Sequence, residues 1–164
     1  MMNEVRPDKQ FRGDAYESDE DIPRVLGQAL DIAAETATAP LTLEQITALQ
    51  AGKTGALIEW AAVAGARLAG AETGPLSDYA RCLGLAFQIA DDILDVAGDP
   101  EKTGKRLQKD AAAGKATFVS LLGLEGATAR AAELAEAACD ALAPYGDRAD
   151  CLRQAARFVI SRDN

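Results

Sequence analysis

Four polar side chains recur along an otherwise apolar stretch at residues 83–96. Gln88, Asp91, Asp92 and Asp95 stand at i, i+3, i+4 and i+7, a spacing that places side chains on one face of an α-helix. Because the rest of the stretch is apolar, the sequence predicts a buried helix whose carboxylates face an interior cavity. Carboxylates one turn apart repel each other, and a bound cation would offset that repulsion. Mg²⁺ fits, since it takes hard oxygen ligands and is commonly held by one or two carboxylates together with substrate phosphates.

The same spacing also fits a solvated acidic face on an ordinary amphipathic helix, and the spacing alone supports both interpretations equally. Residues 99–117, which follow, form the most basic stretch of the chain and include Lys105 and Lys115. Lysines on a glycine-bearing segment beside carboxylates suit a metal–diphosphate ligand. A hydrophilic loop whose charges stay solvated has the same composition, so both interpretations remain open here too.

Composition limits the fold and the chemistry. The chain has 164 residues, of which 48% are hydrophobic and only 5% aromatic, and alanine is abundant. This balance predicts one all-α domain, a bundle of five to seven helices. The net charge is -9 without a basic tract, which argues against nucleic acid as a partner. Histidine is absent, which excludes Ser-His and Cys-His nucleophilic catalysis and histidine metal sites.

The cysteines and the apolar runs predict the compartment. Cys82, Cys139 and Cys151 are an odd number without CxxC spacing, so we expect reduced, largely buried thiols. No apolar run reaches transmembrane length, and the N-terminus lacks a signal-peptide pattern. We therefore expect a cytoplasmic protein with no membrane span.

Polar and helix-breaking residues divide the chain. Residues 1–22 are polar with an acidic end and are expected to be a disordered arm, whereas residues 23–164 read as one helical domain beginning with a helix over 23–36. Thr42 and Gln45 form a capping-box pattern that opens a helical segment extending to about residue 70. Gly52 and Gly55 interrupt that segment around Lys53-Thr54, which indicates a kink or a close approach of the backbone to a ligand. Two tolerated glycines beside an exposed lysine are the simpler interpretation.

The second half continues the helical pattern. Ser77 or Asp78 is expected to cap the central helix, which should end near Gly98. From Phe118 onward, three helical stretches are predicted over residues 118–127, 127–146 and 147–162, and they show only packing residues.

Four segments together resemble a known family. They are GQALD at residues 27–31, KTGALI at 53–58, FQIADDILD at 87–95, and two GK elements with an intervening aspartate at 104–118. In order and spacing they resemble the C-terminal part of the trans-polyprenyl diphosphate synthases, most closely the bacterial farnesyl (geranyl) diphosphate synthases, over residues 25–162.

The resemblance implies a fold, a reaction and a site. The fold would be the all-α isoprenoid-synthase bundle with a cavity between helices. The partners would be an allylic diphosphate and isopentenyl diphosphate, joined through Mg²⁺-assisted ionisation by a homodimeric enzyme. Roles carried over by motif are Mg²⁺ binding for Asp91, Asp92 and Asp95 and diphosphate binding for Lys53, Lys105 and Lys115. The catalytic residues would be Lys53, Thr54 and Gln88, of which Gln88 and the carbonyl of Thr54 would face the developing allylic cation. Gln28 and Asp31 match a motif of the cavity wall without an assigned role.

The chain also departs from the family pattern. A complete synthase carries a first aspartate-rich motif with arginines well upstream of GQALD, but only 26 residues precede Gly27 here and they show no such pattern. We therefore expect a bundle without the family's N-terminal helices, holding only the second aspartate-rich half of the site, which makes turnover by this chain alone doubtful. Two other hypotheses are a non-catalytic helical partner or regulatory subunit of a prenyl synthase and a helical interaction module with a merely solvated acidic face. The intact set of three aspartates and three lysines argues against both.

Overall fold

The structure, a computed structural model, describes residues 41–97 and 116–161. No strand occurs in these two ranges, and the predicted all-α class is confirmed. No helix in either range is long and apolar enough to cross a membrane. The described residues do not include the predicted arm at 1–22 or the predicted helix at 23–36. They also do not include four residues named above: Gln28, Asp31, Lys105 and Lys115. The elements in chain order are α1 (Leu43–Gln50), a π-helical turn (Ala51–Gly55), α2 (Ala56–Leu68), α3 (Gly74–Ala97), α4 (Phe118–Ala141), a 3₁₀ segment (Ala143–Ala149) and α5 (Asp150–Ser161).

The pairing of α3 with α4 forms the centre of the described domain. Both helices are 24 residues long, and their contact is the most extensive between any two described elements. Ala86, Ala127 and Ala138 are completely buried, so much of the contact consists of methyl groups that allow two helices to lie close together. The larger of the two core clusters consists of Ile46, Ala86, Ile89, Val96, Phe118, Val119, Ala127, Ala131 and Leu134.

The predicted capping box at the start of α1 is confirmed. The backbone N–H of Thr42 donates to Oε1 of Gln45 at 2.9 Å, and the N–H of Gln45 donates to Oγ1 of Thr42 at 3.3 Å. Among the apolar residues that give this segment its helical period, Val63 is buried, but Leu57 and Trp60 are 52% and 57% exposed. Helical periodicity therefore does not by itself place Leu57 and Trp60 in the core of the described residues.

The central helix begins earlier than predicted. It starts at Gly74, and the N–H of Ser77 already donates to the carbonyl of Thr73 at 2.9 Å, so Ser77 is not the cap. Pro75 lies in the first turn, where a residue without an N–H loses no helical hydrogen bond. The side chain of Glu72 accepts the N–H of Gly74 at 3.1 Å and satisfies one of the remaining donors. The predicted end at Gly98 lies outside the described residues.

Helix α4 also differs from the prediction. It runs without ending at residue 127, and its one irregularity is at Gly123, whose φ of 73° is accessible to glycine and costly for other residues. This non-helical residue kinks α4 within its second turn and divides it into two helical parts, so the predicted division is present but lies at Gly123 instead of residue 127.

A second core cluster attaches α5 to the α3–α4 pair. Its central side chain is Tyr79 of α3, which is 2% exposed and donates its hydroxyl hydrogen to the carbonyl of Leu152 at 3.0 Å. Burial is the main cause that raises the pKa of Tyr79 above its ordinary value, and nearby Cys139 adds to the effect. Arg153 supports the preceding segment by donating to the carbonyls of Gly146 and Leu142 at 2.8 and 3.0 Å. The site-bearing helix is thus anchored at its N-terminal half.

Replacing Tyr79 by phenylalanine tests this anchor. We expect Tyr79→Phe to lower the free energy of unfolding by about 1 kcal/mol, because it removes one intramolecular hydrogen bond from a buried position. Urea denaturation followed by circular dichroism measures the change. Tyr145→Phe, at a half-buried position of the 3₁₀ segment, is the matched control and should change the free energy by less than about 0.5 kcal/mol. Equal effects of the two substitutions would contradict the assignment.

Candidate functional site

Four residues of α3 define one line along the helix, which we call the acidic stripe: Gly84, Gln88, Asp91 and Asp95. A helix turns by about 100° per residue, so these four positions fall within about 60° of one another. Gln88 is half-buried, whereas Asp91 and Asp95 are exposed. The expectation that all the carboxylates face an enclosed cavity is therefore wrong for the chain as the structure describes it. The shared face itself is present.

The turn that carries Lys53 and Thr54 packs against the start of this stripe. A methyl group added at Gly84 would lie 3.2 Å from Cα of Gly55 and 3.6 Å from Cδ1 of Ile58, so the two backbones meet almost directly. Such an approach requires glycine at position 84, since any side chain there would push the turn away.

The turn itself is π-helical over residues 51–55. Segments of π-helix inside α-helices are rare and are frequent at functional sites. Lys53 and Thr54 are both half-buried, so the simpler interpretation of an exposed lysine beside two tolerated glycines is wrong. The close backbone approach that the glycines indicated is real, but in the structure it is to α3. The sequence-predicted Lys53 and Thr54 therefore lie on an element that contacts the acidic stripe.

Asp92 has different surroundings from the other two aspartates. It is half-buried, and its Oδ2 accepts the backbone N–H of Phe118 at 2.7 Å. Ile89 and Val96, three residues before it and four after it, are buried in the main core. Asp92 thus lies between the acidic stripe and the side of α3 that packs against α4.

The residues at the start of α4 belong to this arrangement, although the sequence pattern predicted no structural role for them. Thr117 and Ser120 form a capping box: Oγ of Ser120 accepts the N–H of Thr117 at 2.8 Å, and Oγ1 of Thr117 accepts the N–H of Ser120 at 3.1 Å. A threonine just before an apolar helical run is a signal that could have indicated the cap. Phe118 is 1% exposed and fixes this end of α4 in the core.

The described carboxylates are suitable ligands for a hard cation, but they do not by themselves form a complete set of metal ligands. Within residues 41–97 and 116–161, no three aspartate, glutamate, cysteine or histidine side chains are grouped closely enough to hold a metal ion. Mg²⁺ does not need such a group, because one or two carboxylates with water and substrate phosphates are sufficient. The exposed pair Asp91 and Asp95, one helical turn apart, meets this requirement.

The cysteines in the core of the described residues are not activated nucleophiles. All three are free thiols; Cys139 is buried and Cys82 half-buried, but Cys151 is exposed, so the expectation of largely buried thiols holds for two of them. Burial is the main cause that raises the pKa of Cys82 and of Cys139 above the ordinary value. These two side chains therefore remain protonated and weakly nucleophilic at neutral pH.

Comparisons with known proteins identify the family to which the fold and the motifs correspond. A family model described as "Polyprenyl synthetase" matches residues 18–152. Farnesyl diphosphate synthase of Escherichia coli (strain K12) is 40% identical over 144 residues, which cover 84% of this chain and 48% of that protein. The apo crystal structure of an FPP/GFPP synthase from Zymomonas mobilis has a TM-score of 0.71 at 45% identity, covering 83% of this chain and 45% of that one.

A further similar solved structure is described as a complex with ligands. It is the geranyltransferase from Helicobacter pylori complexed with magnesium and isoprenyl diphosphate, with a TM-score of 0.61 at 32% identity and coverage of 84% of this chain and 46% of that one. The fold and these comparisons thus place the chain among the all-α isoprenyl synthases. The chain belongs to the polyprenyl synthetase family, and the resemblance stated from its motifs is confirmed. It spans less than half the length of the relatives named here.

The contact between Gly84 and Gly55 makes a prediction about stability. Alanine favours a helix over glycine by up to about 1 kcal/mol, but Gly84→Ala must displace the backbone at Gly55, and overpacking of this kind costs about 1–3 kcal/mol. In Gly65→Ala the new methyl group meets no described atom within 4 Å. We expect the Gly84→Ala protein to be less stable than the Gly65→Ala protein by about 1–3 kcal/mol in urea denaturation. Equal stability of the two variants would show that the turn does not pack closely on α3.

Proposed function

We propose that the chain supplies part of a short-chain trans-prenyltransferase, which condenses an allylic diphosphate with isopentenyl diphosphate. The observation that carries the proposal is the packing of the Lys53-Thr54 turn against the acidic stripe of α3, within segments that match the family's motifs. The relatives named above are farnesyl diphosphate and related synthases, and one of them is described as bound to magnesium and isoprenyl diphosphate.

In the proposed reaction, the bond between the allylic carbon and the diphosphate oxygen breaks, and its electron pair leaves with the diphosphate. The double bond of isopentenyl diphosphate then attacks the allylic cation to form the new carbon–carbon bond. A proton is lost from the adduct, which restores a double bond and gives a longer prenyl diphosphate. Negative charge therefore grows on the leaving diphosphate, and positive charge grows on the allylic carbon.

The lysines would stabilise the leaving group. Fixed positive charges near the place where negative charge develops lower the energy of the transition state more than that of the ground state. Lys53 is half-buried on the π-helical turn, where its position is more restricted than that of a surface lysine. Lys105 and Lys115 would share this role in the proposal, on the strength of the family motifs.

The aspartate-rich segment with Asp91, Asp92 and Asp95 would provide the Mg²⁺ site. A bound divalent cation supplies charge neutralisation of the diphosphate as the carbon–oxygen bond breaks. Of the three side chains, Asp91 and Asp95 are exposed on the acidic stripe and can reach a diphosphate approaching that face.

Gln88 and the carbonyl of Thr54 would face the allylic carbon. Neutral oxygen dipoles stabilise a nearby cation without combining with it. Gln88 is half-buried one turn beyond Gly84, so its amide lies along the stripe on the side where the Lys53-Thr54 turn packs. Apolar surroundings would exclude water, which otherwise captures the cation. The cytoplasmic location and the homodimer stay predictions.

Binding of the product pyrophosphate tests the metal and diphosphate site directly. With Mg²⁺ present, pyrophosphate at about 100 times its dissociation constant should stabilise the folded chain by about 2.7 kcal/mol, seen as a rise in the unfolding temperature. The rise should disappear without Mg²⁺ and in Asp91→Ala. Asp140→Asn, which neutralises an exposed aspartate of α4, is the matched control and should keep it. A rise of equal size in Asp91→Ala would contradict the assignment of Asp91.

Product formation distinguishes the enzyme from a regulatory partner. Because the sequence shows no first aspartate-rich motif, we expect little farnesyl product when this chain alone is incubated with labelled geranyl diphosphate, isopentenyl diphosphate and Mg²⁺. Adding the N-terminal half of a related synthase as a separate chain should restore product, and Lys53→Ala in this chain should remove it again. If the added half is folded and binds this chain but gives no product, the non-catalytic alternative is favoured.

A further inference from the structure

We propose that Asp92 is a positioning residue that fixes the acidic stripe of α3 against the start of α4, and that direct metal ligation falls to Asp91 and Asp95. The inference rests on the proposed function insofar as the stripe binds a metal–diphosphate ligand. It divides three adjacent carboxylates, which sequence spacing treats alike, into two roles.

The hydrogen bond between Asp92 and Phe118 carries the inference. The Oδ2 atom of Asp92 accepts the N–H of Phe118 at 2.7 Å, across 26 residues of chain. Phe118 is 1% exposed and packs in the same core cluster as Ile89 and Val96, which lie three residues before Asp92 and four after it. The hydrogen bond therefore lies at the edge of the core, where packing holds both partners in place.

The hydrogen-bond requirements of a helix N-terminus explain why a carboxylate is placed there. The first N–H groups of a helix have no partner within the helix. In α4, the capping box satisfies the N–H of Thr117 and that of Ser120, and Asp92 takes the N–H of Phe118 between them. A negative charge at this position also interacts favourably with the helix dipole. One oxygen of Asp92 is thus committed to the protein's own backbone.

The other two aspartates differ from Asp92 in their exposure and in their position on α3. Asp91 and Asp95 are exposed and follow the line of Gly84 and Gln88, whereas Asp92 is half-buried toward α4. Two carboxylates one turn apart, together with water and phosphate oxygens, are enough for Mg²⁺. The bond from Asp92 sets the rotation of α3 relative to α4 and so fixes the direction in which the stripe faces.

Asparagine at position 92 separates the two roles. The amide oxygen of Asp92→Asn can still accept the N–H of Phe118, but it lacks the charge that a metal ligand provides. Asp92→Ala removes the acceptor as well. Asp91→Asn removes a charge from the stripe and leaves the hydrogen bond to Phe118 in place, and Asp140→Asn again serves as the control for a lost surface charge.

Two measurements on these variants decide the question. The first is the Mg²⁺ concentration needed for the pyrophosphate-induced rise in unfolding temperature. We expect it to increase more than about tenfold in Asp91→Asn, about tenfold in Asp92→Ala, and less than about threefold in Asp92→Asn. The second is hydrogen exchange of the Phe118 amide by NMR without ligand, which should be accelerated in Asp92→Ala but not in Asp91→Asn.

Each outcome has a distinct meaning. If Asp92→Asn raises the Mg²⁺ requirement as much as Asp91→Asn, or if Asp92→Ala leaves the Phe118 amide protected, the positioning role is overturned while the proposed metal site stands. If the unsubstituted chain shows no Mg²⁺-dependent rise, the proposed metal site itself fails, and the role of Asp92 toward it fails with it. Retention of binding in Asp92→Asn together with loss of Phe118 protection in Asp92→Ala supports the inference.

Discussion

The close packing of α3 against α4 holds the described residues together. Alanines fill much of the contact, so the two helices lie near each other. Because such an interior is closely packed, a small displacement of one helix strains its contact with the other. Phe118 and Ile89 supply the larger side chains in the main cluster, while Tyr79 anchors the far end of α3 to α5. The described part of the candidate site lies on α3 and on the Lys53-Thr54 turn that packs against it.

Helix α3 presents different chemistry on adjacent sides because neighbouring positions on a helix differ by about 100°. One side is apolar and meets α4. A second side carries the acidic stripe, and at its beginning Gly84 lets the π-helical turn approach. Asp92 stands between these sides and bonds to the start of α4. A single helix therefore connects the core, the Lys53-Thr54 turn and the carboxylates, and it carries the FQIADDILD segment of the family resemblance.

The family match identifies the class of protein, whereas the described residues show how part of the candidate site is packed. The family match covers residues 18–152, and the named relatives are synthases of prenyl diphosphates. The chain nevertheless spans less than half of those relatives, so the activity of a whole synthase is a proposal for this chain. The described residues add a physical basis to the proposal: a half-buried lysine turn packed on the helix that carries the exposed carboxylates.

Local sequence was enough to predict the all-α class, the capping box at Thr42 and Gln45, and the face shared by Gln88, Asp91 and Asp95, because these follow from local periodicity and local hydrogen bonds. It also indicated the close approach at Gly55, but not its partner, since glycine signals available space without saying what fills it. Long-range packing alone shows that Gly84 is the residue approached, that Trp60 is exposed, and that α3 begins at Gly74. It also separated Asp92 from Asp91, because the bond to Phe118 joins positions that are 26 residues apart and no helical spacing encodes it.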